Sequence, residues 1–308
     1  MKIYSNIQEF TAINNAVITI GTFDGVHCGH KVIIEQLKKA AHQIGGETVV
    51  LTFFPHPRMV VFPDDNDLKL LNTIEERIFL LEKAGINHLI IHPFSKEFSR
   101  LSALDFVRDI LVNKINAKKI IIGYDHRFGK NRAGNFEDLK DFGETYDFEV
   151  EEIPAQDIQQ INISSTKIRT SLLAGEINAA NQFLGYNYFL SGKVVEGEKI
   201  GRKIGFPTAN IFVDNKYKLV PKNGVYAVKV DVKGITYNGM LNIGNRPTLN
   251  GTNQTIEVNI FDFDEFIYGE HITIHFVERI RNEHHFEELN QLKNQLTLDK
   301  VNSIQILA

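Results

Sequence analysis

Two histidines three residues apart, His27 and His30, close the stretch Gly21-Thr22-Phe23-Asp24-Gly25-Val26-His27-Cys28-Gly29-His30. It lies between the apolar run Val17–Ile20 and a helical pattern that begins near Lys31. Strand, tight turn and helix in that order suit an anion. Glycines at 21, 25 and 29 let the backbone approach a ligand, and a helix start aims unpaired N–H groups and partial positive charge at it. If the helix has begun, His27 and His30 project from one face as two imidazole donors for one phosphoryl group. The turn is neither G-x-G-x-x-G nor a Walker A loop, which ends Gly-Lys-Ser/Thr. Zinc is a poor alternative, because a structural site wants about four ligands and Cys28 is the only cysteine.

Four further clusters carry candidate chemistry. Phe54-Pro55-His56-Pro57-Arg58 follows a second apolar run, and His56 there either meets a ligand or holds a rigid turn. Gly123–Gly134 packs Arg127, Lys130 and Arg132 among three glycines, a composition suited to phosphate. Ile163-Ser164-Ser165-Thr166-Lys167-Ile168-Arg169 puts hydroxyls before a helix, so Ser164 or Ser165 can cap it while Lys167 and Arg169 sit near the same anion. Gly197–Asn210 spaces glycines at 197, 201 and 205 around Lys199, Arg202 and Lys203, as a flap over phosphates would. Thr208 and Asn210 then offer two neutral oxygens to magnesium held also by substrate phosphates. Glu257, on a later alternating stretch, is a candidate general base, although a carboxylate there is more often plain surface.

The elements that must position these residues are of two textures. Up to about residue 184, the apolar runs Val17–Ile20, Thr48–Phe54, His88–Ile91 and Lys119–Gly123 alternate with helical patterns near Lys31–Ile44, Ile74–Ala84 and Ala103–Asn113. That is the signature of a doubly wound parallel sheet covered on both faces, in which ligands gather beyond the carboxyl ends of the strands. Gly185-Tyr186-Asn187 closes this first domain, giving boundaries of 1–185 and 186–308. Beyond Tyr188 the period becomes two: Tyr226, Val228, Val230 and Val232 face one way while Lys229, Asp231 and Lys233 face the other. With Phe189–Val195, Tyr237–Ile243, Thr255–Phe261 and the stretch around Ile272–Phe276, about six antiparallel strands predict a small closed barrel. A terminal helix from about Phe286 is expected to lay Leu289, Leu292, Leu296 and Val301 against it.

The 308 residues are 43% hydrophobic and 23% charged, with a net charge of −4 and a pI near 6.3. Two domains with ordinary cores fit that length. The charge argues against nucleic acid as the main partner, and no run approaches the length of a membrane span. A single cysteine and an N-terminal stretch without an apolar signal core lead to a cytoplasmic expectation. The oligomeric state is left open.

The glycine-histidine turn resembles the H-x-G-H signature of the nucleotidyltransferase superfamily, in the form carried by bifunctional riboflavin kinase/FMN adenylyltransferases, the FAD synthetases. The likeness continues through Thr52–Pro57, Gly123–Gly134, Ile163–Arg169, Gly205-Phe206-Pro207-Thr208-Ala209-Asn210, Gly224-Val225-Tyr226, Asn242–Thr248, Glu257 and Arg281-Asn282-Glu283. It implies an N-terminal nucleotidyltransferase, Rossmann-like, and a C-terminal barrel-type riboflavin kinase, with riboflavin, FMN and ATP as partners and Mg2+ as cofactor. By resemblance, Gly21, Phe23, Asp24, Gly25, His27, His30, Ser164 and Arg169 hold ATP in the adenylyltransferase, and Asp125, Arg127 and Phe128 meet the flavin. In the kinase, Gly201, Lys203, Gly205, Thr208 and Asn210 hold ATP, Thr208 and Asn210 bind the metal, and Glu257 is the base. Two residues depart from the family pattern. His126 replaces a usual phenylalanine, and Asn259 stands where histidine is common. Two other readings stay open: a chain with kinase activity alone, should His126 spoil the first flavin pocket, and a flavin-binding sensor without turnover. Intact Thr208, Asn210, Glu257, His27 and His30 count against the sensor.

Overall fold

The computed structural model describes residues 1–64, 68–154, 163–197, 200–248 and 251–308, without the side chains of 200, 203 and 246–253. The chain divides into two compact units, Met1–Ser164 and Ser165–Ala308. The first carries β1 (Lys2–Tyr4), β2 (Ala16–Ile20), α1 (Cys28–Gln43), β3 (Glu47–Phe54), α2 (Pro57–Val61), α3 (Ile74–Lys83) and β4 (His88–Pro93). There follow α4, which starts at Ala103–Asp105 and widens to π geometry over Phe106–Val112, β5 (Ala117–Gly123), α5 (Phe136–Tyr146) and β6 (Glu149–Ile153).

Six strands form one parallel sheet in the order β1-β4-β3-β2-β5-β6. Every residue of β2 is buried, and alternate side chains feed different layers. Val17 joins Ile34 and Leu37 of α1 and Leu81 of α3, while Ile18 and Ile20 join Phe106, Ile110 and Leu111 of α4 and Leu139 of α5. Burial on both faces is why these strands read as unbroken apolar runs. β2 lies between β3 and β5, so the order reverses around it and its carboxyl end is the crevice where ligands bind in open α/β sheets.

Two strands of this sheet carry no apolar run. β1 has three residues, and β6 is Glu-Val-Glu-Glu-Ile. β6 pairs along its whole length with β5, and across that ladder Lys119 Nζ lies 2.8 Å from Glu151 and 3.4 Å from Glu149.

The second unit opens with α6 (Ser165–Ala174) and α7 (Ile177–Leu184), which pack on each other. It continues with β7 (Phe189–Val195), α8 (Ile200–Lys203), β8 (Ala209–Phe212), β9 (Gly224–Val232), β10 (Ile235–Thr248), β11 (Gly251–Ile260), β12 (His271–Arg281) and α9 (Leu289–Leu307). The strands close into an antiparallel barrel, β10-β11-β8-β7-β12-β9. The doubly wound sheet and the six-stranded barrel with a terminal helix are the folds expected from the sequence.

The buried face of α9 differs from the expected one. Leu289 and Val301 are exposed, while Asp299, Ser303 and Leu307 are buried, with Leu296 and Ile306 packed on the barrel. A buried ion pair sets this register. Arg281 of β12 donates from Nε and Nη2 to the Asp299 carboxylate at 2.7–3.1 Å, and Gln295 adds a bond at 2.9 Å. Such a desolvated pair is costly to break once formed, so it fixes which side of the helix faces in.

Candidate active sites

At the carboxyl end of β2, α1 begins at Cys28 with His27 as its N-cap, the ring Nδ1 accepting from the His30 backbone N–H at 3.4 Å. An Nδ1 that accepts leaves the ring proton of neutral His27 on Nε2. The two imidazoles stack, centroids 3.7 Å apart and planes within 16°. Two cations cannot share that separation cheaply. Desolvation, with the charges of His27 and Arg77 beside it, holds His30 well below the usual histidine pKa. His30 is therefore a neutral hydrogen-bonding group at physiological pH, and its Nδ1 is buried without a partner.

Beneath the turn lies a buried polar layer that sequence reading missed. Asp24, 1% exposed, accepts from the backbone N–H of Leu71 at 3.0 Å and of Asn72 at 3.1 Å. Its carboxylate thus ties the turn to the segment leading into α3. Arg77, also 1% exposed, reaches Thr52 Oγ1 at 3.4 Å, and Thr52 Oγ1 donates in turn to the Thr22 carbonyl at 3.3 Å. Burial lowers the Arg77 pKa and the nearby Asp24 charge offsets this. The available signal was spacing: Arg77 sits four residues before buried Leu81, on the inward stripe of α3. Phe23 is likewise buried, its ring close against Gly21 and 5.0 Å from that of His30. Gly25 adopts φ +91°, a conformation that excludes most side chains.

The loop after β5 is pinned by reciprocal backbone bonds between Phe128 and Gly134 at 3.0–3.1 Å. Asp125 and Arg127 are exposed. Phe128, expected as a flavin contact, is only 6% exposed and packs on Phe106 and Gly134, so it forms the floor of the loop. His126 stacks on Phe128 with ring planes 18° apart, and its Nε2 is enclosed without a partner. Desolvation pushes its pKa down to about 4, Asp125 opposing and Arg132 assisting. His56 caps α2 through Arg58 N–H at 3.2 Å, the rigid-turn alternative. Ser164 directly precedes α6, and Arg169 lies on that helix in the second unit. A cavity of about 510 Å³ flanks α1 and β6, but Glu35, Glu151 and Glu152 line it against Lys31 and Lys39. That balance does not favour a triphosphate.

In the barrel, Glu257 of β11 stands directly across from Asn210 of β8, and Val258 from Ala209. Opposed residues of an antiparallel pair share a face, so Asn210 and Glu257 point to the same side. Thr208 Oγ1 donates to Glu257 Oε2 at 3.4 Å. Asn210 lies on β8, a strand that sequence reading passed over because it has only four residues. Gly197 lies against the Asn210 amide so closely that a Cβ there would overlap it. Gly201 is equally tight on the Phe206 carbonyl, which closes a short loop through Phe206 N–H donating to Gly201 O at 2.8 Å. Gly205 takes φ +87° in that loop. The side chain of Lys203 lies outside the described residues. Hydroxyl, amide and carboxylate oxygens converging on one face are a hard-oxygen set that fits Mg2+. Among the described residues no cluster of three or more His, Cys, Asp and Glu suggests any other metal centre.

Residues 10–167 match the FAD synthetase family and residues 184–307 the riboflavin kinase family. Bifunctional riboflavin kinase/FMN adenylyltransferases from Bacillus subtilis and Listeria monocytogenes are 38% and 41% identical to the chain, over 94% and 95% of it and 92% of each relative. The chain belongs to the bifunctional riboflavin kinase/FMN adenylyltransferase family. A crystal structure named as a macrolide-efflux protein from Streptococcus pneumoniae is also similar, with TM-score 0.90 and 33% identity over 98% of this chain and 97% of that one. That name implies transport. Among the described residues, however, no helix of the present family member is long and apolar enough to cross a membrane.

Proposed function

We infer that this chain phosphorylates riboflavin to FMN in its C-terminal barrel and adenylylates FMN to FAD in its N-terminal domain, with ATP as co-substrate of both steps. We place the functional division at 1–185 and 186–308, which assigns α6 and α7 to the first activity although the compact units divide between Ser164 and Ser165. The observation that carries the reading is the Thr208–Asn210–Glu257 face of the barrel, in a different unit from the stacked His27–His30 pair. Each group suits one chemistry.

In the kinase step the nucleophile is a neutral alcohol, the 5′-hydroxyl of the ribityl chain. Its oxygen bonds to the γ-phosphorus of ATP, the bond from that phosphorus to the β,γ-bridging oxygen breaks, and ADP departs. Glu257 takes the hydroxyl proton, the role a carboxylate plays in kinases. Thr208, whose own proton goes to Glu257, keeps oxygen lone pairs for a cation, and Asn210 supplies its amide oxygen. Mg2+ bound by these oxygens would offset negative charge on the phosphates. Gly201, Gly205 and Lys203 form the flap over the ATP phosphates.

In the adenylyl step the nucleophile is already an anion. A phosphate oxygen of FMN bonds to the α-phosphorus of ATP, and pyrophosphate leaves. No base is needed, so alignment and hydrogen bonding suffice. His27, with its proton on Nε2, and neutral His30 hold the phosphates at the start of α1. Gly21, Phe23, Asp24 and Gly25 shape the turn, Ser164 adds a contact to ATP, and Asp125 and Arg127 hold the flavin over the Phe128 floor. Separate substitutions test the division: Glu257→Ala is expected to abolish FMN formation and spare FAD formation from supplied FMN. Equal loss of both activities would refute separate sites.

A further inference from the structure

Asn259 lies two residues after Glu257 on β11, and so on the same face of the strand. It is 6% exposed. Its Nδ2 donates to the carbonyl oxygen of Pro207 at 2.6 Å. The β8–β11 ladder runs through Glu257↔Asn210 and Val258↔Ala209, and the next step would set Asn259 opposite Thr208. The side chain therefore extends the attachment one residue past the paired backbone, where Pro207 has no N–H to donate.

We propose that Asn259 is a positioning residue of the kinase site, which clamps the Pro207–Thr208 peptide to β11 and thereby holds the Thr208 hydroxyl against Glu257. The Pro207 carbonyl belongs to the peptide plane that carries Thr208 N and Cα, so holding that oxygen limits where the Thr208 side chain starts. The Thr208–Glu257 bond is 3.4 Å long, close to the limit beyond which such a bond ceases to count, and a shift of a few tenths of an ångström would lose it. Thr208 is thus held from both sides, by the β8 ladder through Ala209 and by Asn259 through Pro207.

The inference rests on Thr208, Asn210 and Glu257 forming the kinase site. Its test compares Asn259→Asp, isosteric but with an acceptor facing the carbonyl, and Asn259→His, which restores a donor. Full-length protein is assayed for riboflavin phosphorylation over a range of Mg2+ concentrations, and for Mg-ADP affinity by calorimetry. FMN adenylylation in the same preparation reports an intact fold. Loss of one hydrogen bond to a displaced ligand predicts that Asn259→Asp weakens Mg-ADP binding about tenfold and raises the half-saturating Mg2+ concentration by a similar factor. Adenylylation is expected to stay within about twofold of the unmutated chain, and Asn259→His to recover most of the lost affinity. Unchanged Mg-ADP affinity in Asn259→Asp, or an Asn259→His as impaired as Asn259→Asp, would overturn the assignment. If Asn259→Asp loses both activities through misfolding, Asn259→Val, apolar and suited to a strand, is read against Asn259→His by the same criteria. An unmutated chain without riboflavin kinase activity would instead overturn the site reading beneath it.

Discussion

Replacing Glu257 by glutamine isolates proton acceptance from everything else the side chain does. The substitution keeps the length of the side chain and, with the amide turned so that its oxygen takes the place of Oε2, an acceptor for the Thr208 hydroxyl now bonded at 3.4 Å. It also keeps the β8–β11 pairing with Asn210. What disappears is the carboxylate proposed to receive the ribityl proton. Positioned general bases contribute about 10²- to 10⁴-fold, which is about 2.7 to 5.5 kcal/mol of barrier. Because the hydroxyl, the metal ligands and the flap stay in place, the loss should fall on kcat, with the riboflavin KM within about threefold of its original value. The assay is chromatographic separation of riboflavin, FMN and FAD after incubation with ATP and Mg2+, with FAD formation from supplied FMN as control for the fold. A Glu257→Gln protein that makes FMN at more than about a tenth of the normal rate would refute the base assignment.

Three other outcomes follow from the geometry. His30→Ala should slow FAD formation by about tenfold or more while FMN formation persists, because the stacked imidazole belongs to the first unit alone; undiminished FAD synthesis would remove the histidines from the mechanism. Gly197→Ala should fold, since the Asn210 amide can rotate away from the new Cβ, but the kinase step should then demand more Mg2+; an unaltered Mg2+ dependence would disconnect Asn210 from the metal. His126, with a folded-state pKa of about 4 against about 6.5 when unfolded, binds its proton more readily in the unfolded chain between those values. Stability of the first unit therefore falls as the pH drops from 6.5 towards 4, by about 2 kcal/mol at pH 5. His126→Phe should flatten that dependence, and a thermal midpoint with the same pH slope in both proteins would contradict the burial of this ring.

The apolar runs of β2 to β5 were legible because both faces of a parallel sheet are buried, and the barrel strands because only one face is. Legibility failed where something other than apolar burial holds an element. β6 is a short edge strand with three glutamates and one buried residue, Ile153, and the facing side of α9 carries the Arg281–Asp299 pair. Residue type and glycine spacing singled out His27, His30, Thr208, Asn210 and Glu257 as candidates. The support behind them was silent: the anchoring of Asp24 by Leu71 and Asn72, the Arg77 bond to Thr52, and the Asn259 bond to Pro207 join residues 25 to 52 positions apart. No local period reports contacts of that separation. Phe128 shows the converse, an aromatic in a ligand loop whose ring the core had already claimed.

The central claim is that one chain carries two nucleotide chemistries. Purified protein given riboflavin, ATP and Mg2+, sampled over time and resolved by chromatography, tests it most directly. FMN should accumulate first and FAD follow, with ADP from the first step and pyrophosphate from the second. Riboflavin recovered unchanged, or FMN that never proceeds to FAD, would contradict the account.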